Sequence, residues 1–251
     1  MLEKIFVIVP FFNEEKLIAN LINALKNQTD QTFHVIFVNN NSTDSSLEVI
    51  KKHQKESLFS YEIIEEKEKG TGSASDTGFR YAIDKLGAVY LARTDADCLP
   101  NPKWIAIIRK NLIEEKFDFI GGIIKPRNDD YPLSRFENLV INGMVFVSDL
   151  YGKFKFGIIG YKYIFFMVAG NNLAITSHMY QKSGGFPRTS IDTTDEDLVL
   201  AQRVRKITSN VKRCREMIVY NSTRRLRAYG HWNTLMWYND RAHKPEVIDI
   251  R

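Results

Sequence analysis

Apolar runs and segments of helical periodicity alternate along the first hundred residues. The first run, residues 4–12, is continuously apolar, as in a parallel strand that is buried on both faces. The next segment repeats Leu17, Leu21 and Leu25 at the spacing of one helix face. Continued along the chain, the pattern predicts strands at 4–12, 33–40, 60–66 and 88–94 and helices at 14–28, 42–56 and 73–86. This order predicts an α/β fold with a doubly wound, mostly parallel sheet and right-handed crossovers.

The pattern is less regular beyond Pro102. It predicts helices at 102–116, 137–152, 177–185 and 195–208 and strands at 117–126, 167–177 and 215–224. The helix at 137–152 suits packing on the sheet or against a partner. We assign no element to the tail from residue 225 onwards.

The composition is that of a soluble globular protein, with 44% hydrophobic and 26% charged residues. The two cysteines, Cys98 and Cys214, form no C-x-x-C pattern, which argues against a zinc site and a disulfide framework and favours a reducing compartment. The apolar run at the N-terminus is too short for a signal peptide. No stretch approaches the roughly 18 uncharged apolar residues of a membrane span. We therefore expect a cytoplasmic protein.

Positive charge is concentrated towards the C-terminus. The net charge is +5, and residues 201–251 hold twelve Lys and Arg against four Asp and Glu. Such a segment could meet nucleic acid, anionic lipid or a phosphorylated ligand. A solvated basic face is the simpler interpretation, and because no nucleic-acid-binding motif is recognisable we expect no nucleic-acid partner.

Polar residues follow the ends of the predicted strands. The four clusters are Pro10-Phe11-Phe12-Asn13-Glu14, Asn39-Asn40-Asn41, Gly70-Thr71-Gly72 and Asp95-Ala96-Asp97. Ligands of doubly wound sheets bind beyond the carboxyl ends of the strands. We expect all four clusters to line that one edge.

Two groups of acids are candidates for chemistry. Asp95 and Asp97 suit a helix cap or an Asx turn about as well as a ligand site. As ligands, one could bind a sugar or ribose hydroxyl while the other reaches Mg²⁺ or Mn²⁺. Asp195, Glu196 and Asp197 begin a predicted helix, where the helix dipole favours acids. Three acids in a row exceed what capping needs.

Six motifs occur in the order of the family 2 glycosyltransferases of GT-A fold. They are IVPFFNEE, FVNNNSTDSS, GTGSASDTGF, ARTDADCLP, AGNNLAI…SGGFP and TTDEDLVLAQRV. The chain resembles this family from about residue 4 to about residue 205. The resemblance implies one GT-A domain over 1–251, with a nucleotide-binding half at 1–100, a donor-sugar and acceptor half at 101–230 and a basic aromatic tail at 231–251.

The resemblance assigns the nucleotide site position by position. The implied residues are Pro10, Phe12, Asn13, Glu14, Asn39, Asn40, Asn41, Gly70, Gly72, Asp76, Asp95 and Ala96. The Asn triplet departs from the family's Asp-Asp-Gly, so the base it would read is open. Ser75 and Asp76 replace the family's Arg-Asn, so Lys69, Arg80 or the basic tail would supply the missing diphosphate contact.

The resemblance also implies the catalytic and metal residues. Asp97 would hold Mn²⁺ or Mg²⁺, and Asp95 would contact ribose or sugar beside it. Aligned on Leu198, Asp195 takes the position of the catalytic base, with Asp197 as the competing register and Glu196 third. His231 is a further candidate metal ligand, although packing or an acceptor contact is the commoner use of a lone histidine. Gly170, Asn171 and Asn172 would line the donor-sugar and acceptor side, although a strand-edge bulge suits Asn171 and Asn172 about equally well. Arg224 and Arg225 join this side as candidates to clamp a diphosphate, while their alternation equally suits a solvent-exposed strand.

These features predict an inverting, metal-dependent glycosyltransferase. We expect a UDP- or dTDP-sugar donor, with a GDP-sugar next, and a glycan or lipid-linked acceptor. A sugar-nucleotide pyrophosphorylase is one alternative, but the stretch PFFNEEK lacks the glycine-rich loop such enzymes need after strand one. A non-catalytic nucleotide-sugar-binding module is another, favoured by the Asn triplet and Thr194. Peripheral contact with the inner face of a membrane would use the aromatic stretches at 137–168 and 228–238, where core or dimer packing is the simpler use.

Overall fold

In the computed structural model, the chain is described over residues 3–53, 58–127, 168–188 and 195–224, with isolated positions between 129 and 150 and between 227 and 233. Within these residues, eight strands form one sheet in the order β3-β2-β1-β4-β7-β6-β8-β5. The strands are β1 (Ile5–Phe11), β2 (Phe33–Asn39), β3 (Ser60–Glu65), β4 (Tyr90–Arg93), β5 (Cys98–Pro100), β6 (Phe119–Pro126), β7 (Leu173–Thr176) and β8 (Val211–Asn221). The helices are α1 (Ile18–Lys26), α2 (Ser46–His53), α3 (Thr71–Leu86), α4 (Trp104–Arg109), α5 (Ser177–Ser183) and α6 (Glu196–Arg205).

Strands β1 to β4 are mutually parallel, and β1, β2 and β4 are largely buried between two layers of helices. Alternate residues of β1 enter different cores: Val7 and Val9 pack with α1, α2 and α4, whereas Ile8 packs with α3, α5 and α6. Two apolar layers explain why β1 is an unbroken hydrophobic run. The predicted α/β fold with helices on both faces is confirmed.

The second half of the sheet mixes strand directions. Strand β7 is antiparallel to β4 and β6, β6 is parallel to β8, and β5 is antiparallel to β8. Because both predicted halves contribute strands to one sheet, they share a single framework. The functional division at residue 100 stays a prediction.

Strands β1 and β4 separate at their carboxyl ends. Their pairing stops at Ile8 and Arg93, while β1 continues beside β2 as far as Phe11. The Ile8 carbonyl accepts a hydrogen bond from Thr94, so the Pro10 nitrogen, two residues further, lies on the same β4 side. No sheet bond is lost there because β4 has already ended. The separation opens the sheet at the edge where ligands of such folds bind.

Predicted and observed elements agree in order and differ at their ends. Helix α1 begins only at Ile18, since residues 14–17 form a turn. The predicted strand 167–177 begins at Leu173, after a 3₁₀ turn over Gly170–Asn172. Helix α4 gives way to a π-helical turn over Lys110–Glu114. The prediction missed β5, because three residues next to a turn are too short to show a period.

The predicted helix at 137–152 lies largely outside the described residues. Among the residues that the structure does describe, no helix is long and apolar enough to cross a membrane.

Candidate active site

The two predicted acid groups meet at the carboxyl edge of the sheet. Asp95 and Asp97 follow β4, and Asp195, Glu196 and Asp197 begin α6. They are joined by Arg93, the last residue of β4, which is 1% exposed. Sequence analysis had assigned Arg93 no role.

The Arg93 guanidinium bonds to both acid groups. Its Nε and Nη2 lie 3.2 and 3.1 Å from Asp95 Oδ1, and its Nη1 lies 3.1 Å from Glu196 Oε1. Burial opposes the charge on Arg93, yet Asp95, Glu196 and Asp197 outweigh it and raise the pKa of the guanidinium. Burial raises the pKa of Asp95, and the carboxylates of Asp97 and Glu196 add to that rise against the pull of Arg93. The site therefore concentrates negative charge around one buried cation.

A second arginine, Arg224, joins Asp97 to the turn after β1. Its guanidinium makes a two-pronged contact with the Glu14 carboxylate, with Nη1 2.8 Å from Oε2 and Nη2 bonded to Oε1. The same Nη2 lies 3.2 Å from Asp97 Oδ2. The backbone carbonyl of Asp97 is held by the buried Arg127 at 2.9 Å. Arg224 thus lies between two residues predicted to face the nucleotide and the metal.

Asp197 is bound by backbone groups on both carboxylate oxygens. Gly170 N–H donates to Oδ2 at 2.8 Å, and Leu198 N–H donates to Oδ1 at 2.7 Å. Burial and the neighbouring Glu196 carboxylate nevertheless raise the pKa of Asp197 to about 6. Asp195 stands at the N-cap of α6 with extended backbone, is partly exposed, and makes no side-chain capping bond to the helix. The three acids therefore differ in environment, although they are consecutive.

The turn Gly170–Asn172 gives different surroundings to the side chains of Asn171 and Asn172, which were both predicted to face the donor sugar or the acceptor. Asn172 is fully buried, and its amide donates to the carbonyls of Ile123 and Met217 while its oxygen accepts from the Trp104 indole at 2.9 Å. Both of its amide protons are therefore used inside the protein. Trp104 lies in the hydrophobic core. Asn171 is 8% exposed, and its side-chain oxygen has no hydrogen-bond partner among the residues that the structure describes.

Asn39, Asn40 and Asn41 hold the loop that follows β3. The Asn40 amide donates to two backbone carbonyls of residues 66–70, at 2.9 and 2.8 Å, and its oxygen accepts from a backbone N–H there at 2.8 Å. Asn41 donates to two carbonyls of the same loop, at 3.2 and 3.0 Å, with φ of 66°. Asparagine tolerates this left-handed conformation better than most residues. A carboxylate only accepts hydrogen bonds, so amides are needed in place of the family's Asp-Asp-Gly.

The predicted nucleotide residues near β1 line the same edge. The Asn13 side-chain oxygen accepts from Thr43 N–H at 2.8 Å, which ties the turn after β1 to the loop after β2. Phe12 is partly exposed, with Lys69 Nζ 5.6 Å from its ring centroid. Pro10 lies in the part of β1 that no longer pairs with β4. Ala96, between the two aspartates, is 3% exposed.

Asp76 faces the protein interior. It is 1% exposed and bonds to Tyr180 and Arg80, each at 2.8 Å. Gly70 and Gly72 begin α3 beside it, and the Gly70 N–H is taken by Asn40. The described contacts of Asp76 are therefore structural, and its nucleotide role stays a prediction.

Arg188 is another residue that sequence analysis missed. It bonds to Glu66 at 2.7 Å, Glu68 at 2.8 Å and Thr77 at 3.0 Å, and so ties the segment after α5 to the loop after β3. Burial raises the pKa of Glu66, but hydrogen bonds from Thr77 and Arg188 outweigh it and lower the pKa. A basic residue with partners 111 to 122 positions away in sequence leaves no local signal.

Arg225, His231 and Thr194 lie outside the described residues. Their predicted contributions stay predictions.

The donor set suits a divalent cation that arrives with a diphosphate. Among the described residues, no three His, Cys, Asp or Glu side chains cluster as a metal site. Asp97 nonetheless offers carboxylate oxygens on a side chain that is 18% exposed. Magnesium-type sites commonly use one or two carboxylates and take their other ligands from substrate phosphates and water. The residues fit such an ion, with Arg224 as its neighbour.

Comparison with known proteins identifies the family. A model of glycosyl transferase family 2 matches residues 6–176, more than half of the chain. The chain belongs to glycosyl transferase family 2. This confirms the predicted family and the predicted enzyme class, a glycosyltransferase.

Two kinds of relative accompany the family assignment. The glycosyltransferase AglE of Haloferax volcanii is 27% identical over 121 residues, which are 47% of this chain and 38% of AglE. Residues 1–349 of TarS from S. aureus, solved with UDP-GlcNAc, superpose with a TM-score of 0.63 at 17% identity, covering 87% of this chain and 58% of that one.

A third protein, the mannosyltransferase PcManGT of Pyrobaculum calidifontis with GDP-Man and Mn²⁺, superposes with a TM-score of 0.65 at 18% identity, covering 98% of this chain and 66% of that one. These likenesses confirm the predicted GT-A fold of the family 2 chain. The chain spans less than two thirds of the length of these relatives.

Proposed function

We propose that this family 2 chain is an inverting, metal-dependent glycosyltransferase. It would move a sugar from a nucleoside-diphosphate sugar to a hydroxyl of a glycan or glycolipid. The observation that carries the proposal is the convergence of Asp95 and Asp97 with the Asp195–Asp197 helix start, through the buried Arg93. Asp95 and Asp97 would then bind the donor and its leaving group, and the acids at the helix start would act on the hydroxyl of the acceptor.

Asp195 is the base in this proposal. The two oxygens of Asp197 already accept backbone hydrogen bonds, and Glu196 is buried against Arg93. Asp195 is partly exposed next to both. Its carboxylate would take the proton of the acceptor hydroxyl as that oxygen attacks the anomeric carbon. The bond from that carbon to the diphosphate breaks, the electron pair leaves with the nucleoside diphosphate, and the anomeric configuration inverts.

Asp97, Arg224 and Asp95 form the leaving-group side. Asp97 would hold Mn²⁺ or Mg²⁺, with Asp95 and His231 as further candidates, and the ion would neutralise charge on the departing diphosphate. Arg224 would contact the same phosphates, because arginine matches phosphate oxygens with a two-pronged donor set, and Arg225, the next residue in the sequence, is a further candidate. Asp95 would receive a ribose or sugar hydroxyl on its remaining acceptor positions.

The donor is a nucleoside-diphosphate sugar, with UDP or dTDP preferred and GDP next. The relatives solved with UDP-GlcNAc and with GDP-Man support this range. The nucleotide would lie along Pro10, Phe12, Asn13, Asn39, Asn40 and Asn41. Asn171, whose buried oxygen has no hydrogen-bond partner in the described part of the chain, would accept a hydrogen bond from a sugar hydroxyl. Asn172 would position Asn171 and not touch the sugar.

The setting of the reaction is part of the proposal. The chain would act as one domain in the cytoplasm, in cell-envelope polysaccharide synthesis, with peripheral contact at the inner face of the membrane and without nucleic acid. A lipid-linked acceptor would account for such a contact.

The test is release of nucleoside diphosphate from UDP-, dTDP- and GDP-sugars with Mn²⁺ or Mg²⁺. Asp195→Asn and Asp97→Ala should lower kcat by about 100- to 10,000-fold, the range of lost acid–base or electrostatic catalysis, with the fold intact by circular dichroism. Glu114→Gln removes an exposed acid on the π-helical turn and should leave kcat unchanged.

Three results would contradict the proposal. Full activity in both site variants would refute the site. Consumption of pyrophosphate with formation of a nucleotide sugar would identify a pyrophosphorylase. Binding of nucleotide sugar without turnover for any acceptor or water would identify a non-catalytic module.

A further inference from the structure

Arg93 connects the two acid groups by contacts that a shorter or unbranched cation cannot reproduce. One edge of its guanidinium faces Asp95 and the opposite nitrogen faces Glu196, at 3.1 to 3.2 Å. Lysine is a point charge on a flexible stem, without the planar fork that reaches two carboxylates at once. The side chain is therefore suited to fixing a distance between two elements as well as to neutralising charge.

Phe186 and Gly170 pack against the guanidinium. The Phe186 ring centroid lies 5.3 Å from Arg93 Cζ. A Cβ at Gly170 would fall 2.8 Å from Nη1 and 2.9 Å from Cζ, so a larger residue at this position would displace the guanidinium from its present place. Gly170 also donates its N–H to Asp197. Strand β4, the Gly170 turn and the start of α6 are thus held around one side chain.

We propose that Arg93 is a positioning residue of the transfer reaction, which holds Asp95 of the donor site and the helix start carrying Asp195 in one geometry. The inference rests on the proposed function. It assigns to Arg93 no contact with substrate. Displacing a catalytic group by about 1 Å can cost on the order of 100-fold in rate, so this link would act on kcat.

The first test is Arg93→Lys, assayed for sugar transfer with varied donor. Lysine keeps a positive charge beside Asp95 but cannot hold Glu196 as well. We expect kcat to fall by about 10- to 100-fold, with the donor KM changed by less than about threefold. Arg205→Lys replaces another buried arginine, at the far end of α6, and should leave kcat unchanged.

The second test is a double-mutant cycle with Glu196→Leu, which removes the acceptor oxygens that Arg93 contacts. If both residues act through one link, the double variant should have a kcat within about threefold of Arg93→Lys alone. If Arg93→Lys does not fold, Glu196→Leu by itself should reproduce the loss of kcat at constant donor KM, because Arg93 stays paired with Asp95.

Several outcomes would overturn the inference. One is a wild-type kcat in Arg93→Lys or in Glu196→Leu, and another is effects that multiply in the double variant. A third is a loss of kcat in Glu196→Leu as large as that in Asp195→Asn, which would make Glu196 the base. A wild-type protein that transfers no sugar would contradict the proposed function itself. A transferring wild type with an equally active Arg93→Lys would contradict only the role of Arg93.

Discussion

Burial beside Glu196 raises the pKa of Asp197 to about 6, from an ordinary value of 3.8. Between these values the folded protein holds a proton that the unfolded chain has released. The stabilisation from that proton is complete below about pH 4 and is lost as the pH rises through about 6. At neutral pH, the ionised and buried Asp197 therefore lowers the free energy of unfolding.

Asp197→Asn removes this titration. Relative to the Asn variant, the wild-type free energy of unfolding should fall by about 1 to 3 kcal/mol between pH 4.5 and pH 8. Urea unfolding of both proteins across this range measures the difference, in which titrating groups that do not interact with Asp197 cancel. A difference that stays constant with pH would show that Asp197 titrates normally.

Arg224 places a positive charge 3.2 Å from Asp97, where the proposal puts a metal ion. Arg224→Ala should therefore bind Mn²⁺ about three- to tenfold more tightly without nucleotide, because a like charge is removed. The variant should bind nucleoside diphosphate at least about tenfold more weakly, because a phosphate contact is lost. Electron paramagnetic resonance of free Mn²⁺ and calorimetry measure the two affinities.

The matched control is Arg215→Ala, which removes the same charge from an exposed position of β8. It should change neither affinity. Weaker Mn²⁺ binding in Arg224→Ala, or unchanged nucleotide binding, would contradict the assignment of Arg224.

Acids at strand and helix ends could be predicted from the sequence, whereas their partners could not. Asp95, Asp97 and Glu196 lie where such folds place ligand residues, so local pattern was enough. Arg93 and Arg188 act through residues more than 100 positions away, and that distance leaves no motif. An arginine at the end of the apolar run of β4 was the one available signal, because a buried arginine needs carboxylates.

At the level of elements, α3 lies unusually close to the parallel strands. A Cβ at Gly78 would fall 2.6 Å from Ile8 Cγ2 and 2.8 Å from Val38 Cγ2, both on fully buried side chains. Gly78→Ala should lower the free energy of unfolding by about 1 to 3 kcal/mol, because the strands cannot yield without repacking. Thermal or urea unfolding measures the loss.

Gly143→Ala is the matched control, since its added methyl would meet no atom of the described residues within 4 Å. It should leave stability unchanged or raise it slightly. Equal stability of Gly78→Ala and the wild type would mean that α3 lies further from the sheet than the structure has it.

The order of strands and helices could be predicted where the hydrophobic pattern along the sequence was clearly that of a buried strand or of an amphipathic helix. The runs that became β1 and β2 are buried on both sides, and helix α1 between them is amphipathic, so both patterns were clear. Strand β5 and the Gly170–Asn172 turn depend on pairing and packing with distant segments. No local period encodes such contacts.

At the scale of the whole molecule, the parallel half of the sheet could be predicted from the alternation of strands and helices. The placement of β7 between β4 and β6, antiparallel to both, could not be predicted, because strand direction there is set by long connections. That placement brings the Gly170 turn to the carboxyl end of β4 and so completes the site. Sequence motifs could name both acid groups, but only the sheet order shows why they meet.

The most direct test of the proposed chemistry is the configuration of the first-formed product. One carboxylate base opposite one leaving-group site permits a single displacement at the anomeric carbon. Time-resolved proton NMR of the reaction with an α-linked nucleotide-sugar donor and Mn²⁺ should show a β-configured product before any mutarotation. An α-configured first product, or a donor that stays intact, would contradict the account.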